Sequence, residues 1–220
     1  MQNQLMETEL YLMNFSLDSF RKDYRRYFSV ERWNHISSYK NVADRLRSVC
    51  TELLAKYLVA KKTSRNFEEI SILRDVRGKP YIADSDLQIS LSHSRNWIVC
   101  SVGNVTSGID VEEDFSDALE IALNFFAYRE YFLLKCLHGA DLQKNFLRLW
   151  TLKESYGKFL GCGLSEELLK IDIEKLLVNN KNIACRNFYL LEGAVIGLCT
   201  APFALPNDYI LLHAEEIEPF

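Results

Sequence analysis

The stretch "SGIDVEED", residues 107–114, decides how the rest of the chain is read. It begins like a core strand, with Ile109 and Val111, and it carries four acids, Asp110, Glu112, Glu113 and Asp114. Carboxylates repel one another, and burying them without partners is costly. In a strand, alternate side chains share a face, so Asp110 and Glu112 point one way and Val111 faces a core. Two carboxylates held this close suit a hard divalent cation such as Mg²⁺, which takes one or two protein carboxylates and fills its shell with water and phosphate oxygens. The competing reading is a solvated strand end running into a helix N-terminus, where acids are favoured. A calcium loop fits less well: Phe115 stands where that loop needs glycine, and Ile121 where it needs the final glutamate.

The 220 residues suit one large domain or two fused small ones. Hydrophobic residues make up 48%, enough for a real core. The net charge of −4 argues against nucleic acid as the main partner. No apolar run reaches the ~20 residues of a membrane helix, and the acidic N-terminus does not read as a signal peptide. Cys50, Cys100, Cys136, Cys162, Cys185 and Cys199 contain no CxxC pair. They read as buried free thiols, which points to the cytoplasm.

Going outward from the acids, "WIVCSVG" (97–103) is an apolar run that predicts a central strand, and "LQISLSHS" (87–94) alternates as a half-buried one. "TSGIDVEE" then reads as the third strand of a meander. "TELYLMNF" (8–15) predicts the first strand, "SFRKDYRRYFSVERWNHI" a basic helix, and Val42, Leu46, Val49, Leu53 and Tyr57 a longer one. "RGKPYIADSD" (77–86) reads as a turn with a short strand. After the acids, "SDALEIALNFFAYREYFLLKCLHG" predicts one or two helices ended by Gly139. "LQKNFLRLWTLKESYGKFLG" predicts another. "LKIDIEKLLV", "NFYLLEGAVIGLCT" and "DYILLHAEEI" read as closing strands.

Two further stretches carry chemistry. In "RLWTLKESYGKFLGCGL" (148–164), Glu154 and Lys158 are i, i+4 neighbours and Lys153 lies about 100° around the helix. That pattern fits an exposed ion-paired helix, or a third carboxylate ligand with lysines placed to meet phosphate. "LSHSRNW" (91–97) puts Ser92, His93 and Ser94 at a strand end, without the G-x-S-x-G turn of a serine hydrolase. "RGKP" is not a P-loop, and "GCG" lacks the third glycine of a dinucleotide fingerprint.

Taken in order, Gly78-Lys79-Pro80, Ser92-His93-Ser94, Gly108-Ile109-Asp110-Val111-Glu112 and Trp150-x-x-Lys153-Glu154-x-x-x-Lys158 resemble the motifs of the surfactin-synthetase-activating (Sfp) type of 4′-phosphopantetheinyl transferases. The resemblance covers residues 20–175. It implies an α+β fold of two similar halves, 1–105 and 106–220, packed as an intrachain pseudodimer with the active site in the cleft between them. It implies a monomer that transfers the 4′-phosphopantetheine arm of coenzyme A to a serine of an apo acyl or peptidyl carrier protein, releasing adenosine 3′,5′-bisphosphate. Asp110, Glu112 and Glu154 would hold Mg²⁺ or Mn²⁺. Lys79 and Pro80 would lie on the adenine side, Ser92 and His93 against phosphate, and Arg45, from "VADRLR", on the ribose 3′-phosphate. Lys153 and Lys158 would line the pyrophosphate, with Glu154 as base and Lys158 as acid. Gly157, inside the motif helix, is unusual and reads as a place where another backbone comes close. Competing readings of the same acids are a Mg²⁺-dependent nucleotide phosphoryl transferase or hydrolase, and an inactive homologue that binds coenzyme A or a carrier.

Overall fold

A computed structural model describes residues 7–16 and 23–217. Arg21, Lys22 and the start of the predicted basic helix lie outside the described residues.

The order of elements is β1 (Thr8–Asn14), α1 (Val30–Ser37), α2 (Val42–Thr63), β2 (Ile72–Arg74), β3 (Pro80–Ile82), β4 (Gln88–Ser94), β5 (Trp97–Gly103) and β6 (Ser107–Glu112). There follow α3 (Ala118–Phe125), α4 (Tyr128–Lys135), α5 (Gly139–Leu160), α6 (Glu166–Leu169), α7 (Ile173–Asn179), β7 (Ala184–Tyr189), β8 (Val195–Thr200) and β9 (Ile210–Leu212). One sheet runs β4-β5-β1-β9, a second runs β6-β8-β7, and β2-β3 form a separate hairpin.

The alternation of β1 shows why four layers form. Tyr11 and Met13 pack with Val49, Leu53, Leu54 and Leu58 of α2, while Leu10 and Leu12 turn the other way, onto Ile109, Val111, Ile196 and Leu198 of the second sheet. The far face of that second sheet is covered by α5 through Phe146, Leu149, Leu152 and Tyr156. The layers are therefore helix, sheet, sheet, helix: an α+β fold of two halves, each with a long helix on the outside of its sheet. The apolar run of β5 is buried throughout and is central, as predicted.

Several expectations are corrected. β6 is not the third strand of a meander, because it leaves β5 and pairs with β8. The stretch "LKIDIEKLLV" is mostly helical: Asp172 caps α7 by accepting from the Lys175 N–H at 3.0 Å. Gly139 opens α5 and does not end α4. The six cysteines are not all buried free thiols. Cys185 and Cys199, opposite each other in the β7–β8 register, form a disulfide, and Cys136 and Cys162 are exposed. The final strand, β9, returns to the first half and pairs in parallel with β1. Among the described residues no helix is long and apolar enough to cross a membrane.

Candidate active site

The site grows from the contact of β6 with α5. A Cβ on Gly108 would stand 1.9 Å from the Ser155 carbonyl oxygen, so only glycine lets the strand lie this close to the helix. Asp110 and Glu112 share the face of Gly108 by the two-residue period of the strand. They therefore meet the α5 turn that carries Glu154 and Lys158. Val111 points the opposite way and is fully buried, as the alternation predicts.

Asp110 is 4% exposed. Its Oδ1 accepts from Ser92 Oγ at 2.8 Å and from Lys158 Nζ at 2.8 Å. Its Oδ2 is buried and has no hydrogen-bond partner among the described residues. Ser94 Oγ donates to Glu112 Oε2 at 2.8 Å, and Lys158 Nζ also reaches Ser92 Oγ at 3.0 Å. Two serines from the first half and one lysine from α5 thus gather around the acids of β6.

Burial raises the carboxyls of Glu112 and Glu154 to about 7, and the charge of Asp110 adds to the rise at each. Each of the two also feels a further acid, Glu113 at Glu112 and Glu112 at Glu154, with Lys158 working against the rise at both. Crowded acids with too little positive charge call for a cation. Among the described residues no group of three or more His, Cys, Asp or Glu side chains is placed to hold a metal ion. The orphaned Oδ2 of Asp110 is the observation that fits a cation completing its shell from water and phosphate.

A cleft of about 720 Å³ opens beside the acids. Its walls include Arg32 and His35 of α1, Ser48 and Glu52 of α2, Arg74 and Tyr81 of the β2-β3 hairpin, Ser92 and His93 of β4, and Lys158. Buried Glu52 anchors two guanidiniums there, Arg32 at 2.7 Å and Arg74 at 3.4 Å. A side pocket of about 200 Å³ continues between Lys79, Pro80, Lys158, Gly161 and Gly163. The imidazole of His93 is held below its usual pKa by the protein packed around it and by the nearby cations Arg47 and Lys158.

The structure thus brings together Asp110, Glu112, Glu154, Lys158, Ser92 and His93, with Lys79 and Pro80 in the adjoining pocket. Arg45 lines neither cavity; its guanidinium donates to the Tyr39 carbonyl at 3.1 Å. The guanidinium beside His93 belongs to Arg47. Lys153 corrects its expectation outright. It is fully buried on the far side of α5, where its Nζ pairs with Glu130 at 2.7 Å and donates to the carbonyls of Leu169 and Ile171, so it cannot line a phosphate site. Gly157 is where another backbone comes close: a Cβ there would stand 2.7 Å from the Gly163 carbonyl oxygen. Of the cleft arginines, Arg32 belongs to the basic tract before Arg45, whose members the sequence does not assign to phosphate, and Arg74 is not foreseen, since it belongs to no recognisable motif and meets Arg32 only through Glu52.

Comparison with known proteins bears on these elements together. Residues 106–208 match the 4′-phosphopantetheinyl transferase superfamily, and residues 21–104 match the 4′-phosphopantetheinyl transferase N-terminal family. The chain belongs to the 4′-phosphopantetheinyl transferase superfamily. The transferase gsp of Aneurinibacillus migulanus is 37% identical over 137 residues, 62% of this chain and 57% of that protein. Sfp of Bacillus subtilis strain 168 is 25% identical over 201 residues, 87% of this chain and 90% of Sfp. The L-aminoadipate-semialdehyde dehydrogenase-phosphopantetheinyl transferase of Saccharomyces cerevisiae is 30% identical over 171 residues, 72% of this chain and 58% of that protein. The chain thus spans under two thirds of gsp and of the yeast relative. In this superfamily member, the cleft is lined by residues of the first matched segment together with Lys158 of the second.

Proposed function

We propose that this transferase moves the 4′-phosphopantetheine arm of coenzyme A onto a serine of an apo acyl or peptidyl carrier protein and releases adenosine 3′,5′-bisphosphate. The observation that carries the reading is the Lys158 ammonium, which bonds Ser92 of one half and Asp110 of the other at the floor of a cleft lined with guanidiniums. A ligand with several phosphates matches such a cleft, since cations meet anionic oxygens best where water is partly excluded.

Asp110, Glu112 and Glu154 would hold a divalent cation, Mg²⁺ or Mn²⁺. When bound there, such a cation neutralises phosphate charge and polarises the phosphorus under attack. Arg32, Arg74 and His93 would hold the ligand's phosphates, and Lys79 and Pro80 its base. Glu154 would accept the proton of the carrier serine as its oxygen bonds to phosphorus. The bond from that phosphorus to the bridging oxygen breaks, and Lys158 would give the leaving phosphate its proton. We further propose a boundary between halves near residue 105, a monomeric state, since one chain completes the cleft, and a cytoplasmic location.

The test is incubation with coenzyme A, Mg²⁺ and an apo carrier, followed by mass spectrometry of the carrier. A gain of one phosphopantetheine arm, abolished by chelation, is expected. Cleavage of coenzyme A with an unchanged carrier would make the protein a nucleotide hydrolase. Binding without either product would make it an inactive homologue.

A further inference from the structure

The Gly-Lys-Pro turn belongs to the first half, yet it is fastened to the end of the helix that carries the site of the second. The Asp75 carboxylate stiffens the turn by accepting from the backbone N–H groups of Arg77 and Lys79, each at 2.9 Å. From this rigid base Arg77 Nη1 donates to the Gly161 carbonyl at 3.3 Å, and Lys79 Nζ lies 3.5 Å from the Phe159 carbonyl. Both acceptors are at the C-terminus of α5, where carbonyls lack helical partners and the dipole favours positive charge. Gly161 is the left-handed cap, and its own N–H bonds the Lys158 carbonyl at 3.2 Å. A short path of bonds therefore runs from Arg77 through Gly161 to Lys158.

We infer that Arg77 is a positioning residue: it clasps the two halves at the end of α5, closes the pocket between the turn and Gly161, and so fixes Lys158 for the anionic ligand. The inference rests on the proposed function for its ligand, and not for its geometry. Arg77 is exposed and contributes nothing to the core, so Arg77→Ala leaves the fold intact.

The experiment is equilibrium binding of coenzyme A to the full chain, with steady-state transfer to an apo carrier, for the wild type, Arg77→Ala and Arg77→Lys. Arg77→Ala is expected to raise Kd and KM about fivefold, the worth of one ordinary exposed hydrogen bond, while kcat stays within about twofold. Arg77→Lys, which keeps a cationic donor, recovers most of the loss. Unchanged Kd in Arg77→Ala overturns the inference, as does a fall in kcat with KM unchanged. If the wild type itself does not bind coenzyme A, the proposed function fails, and the clasp is then read by hydrogen exchange. The amides of residues 157–163 exchange faster in Arg77→Ala and slow again in Arg77→Lys; equal rates in all three chains overturn it.

Discussion

Asp110 and Glu52 are buried to the same extent, each 4% exposed, and they sit in different halves with opposite fates. Glu52, on α2, is bonded by Arg32 Nε and Arg74 Nη2 through one oxygen, and its field fixes two guanidiniums on the cleft wall. Asp110, on β6, shares one oxygen between Ser92 and Lys158 and leaves the other buried without a partner, beside two more acids. A buried carboxylate that is satisfied is part of the scaffold. One left under-satisfied costs free energy that only a ligand returns. The first half thus supplies finished cationic walls, and the second supplies acids still wanting charge.

The sharpest way to break this contrast is to remove the acids one at a time. Glu154→Gln should lower kcat about 10³-fold, since it loses a proton acceptor as well as a ligand oxygen. Steady-state transfer to an apo carrier checks this, and near-normal turnover would strip Glu154 of both roles. Asp110→Asn should lower kcat/KM about 10²-fold. Its stability should stay within about 1 kcal/mol of the wild type, because the partner Lys158 is part-exposed and the repulsion among the acids is relieved. Glu52→Gln should do the reverse, costing about 3 kcal/mol in urea unfolding as two guanidiniums lose their shared partner. If Asp110→Asn unfolds as readily as Glu52→Gln, the division into scaffold acid and ligand-seeking acid is wrong.

The same contrast explains what the sequence disclosed. The face shared by Asp110 and Glu112 follows from the period of a strand, and Glu154 with Lys158 from the period of a helix, so both were legible. The continuous run 97–103 likewise announced a central strand. Lys153 was misplaced because helical spacing gives the angle between neighbours but not which face meets the core. That depends on Glu130, 23 residues earlier, and on the carbonyls of Leu169 and Ile171. β6 was given the wrong partner because its pairing with β8 is set far along the chain. The segment at 169–178 alternates like a strand, and the capping carboxylate of Asp172 turned it into a helix. The disulfide depends on the β7–β8 register, which the spacing of the cysteines does not reveal.

A third carboxylate carries the contrast to the surface and gives the smallest effect. Glu9, on β1, is 34% exposed at its side chain and bonds Lys62 of α2 at 2.6 Å and the Tyr11 hydroxyl. Burial works to raise its pKa, but the two hydrogen bonds outweigh it and hold the carboxyl below its ordinary value. A depressed carboxylate binds fewer protons folded than unfolded, so its stabilisation is present above the unfolded pKa and is lost as pH falls through the folded one. Glu9→Gln should therefore flatten the acid limb of the stability curve slightly and leave transfer activity at neutral pH unaltered. Denaturant unfolding from pH 7 down to pH 3 measures this, and added salt should shrink the difference, as expected for a part-exposed pair. A steeper acid limb in the variant would mean that Glu9 is strained in the fold, and satisfied partners would then no longer separate scaffold acids from those that await a ligand.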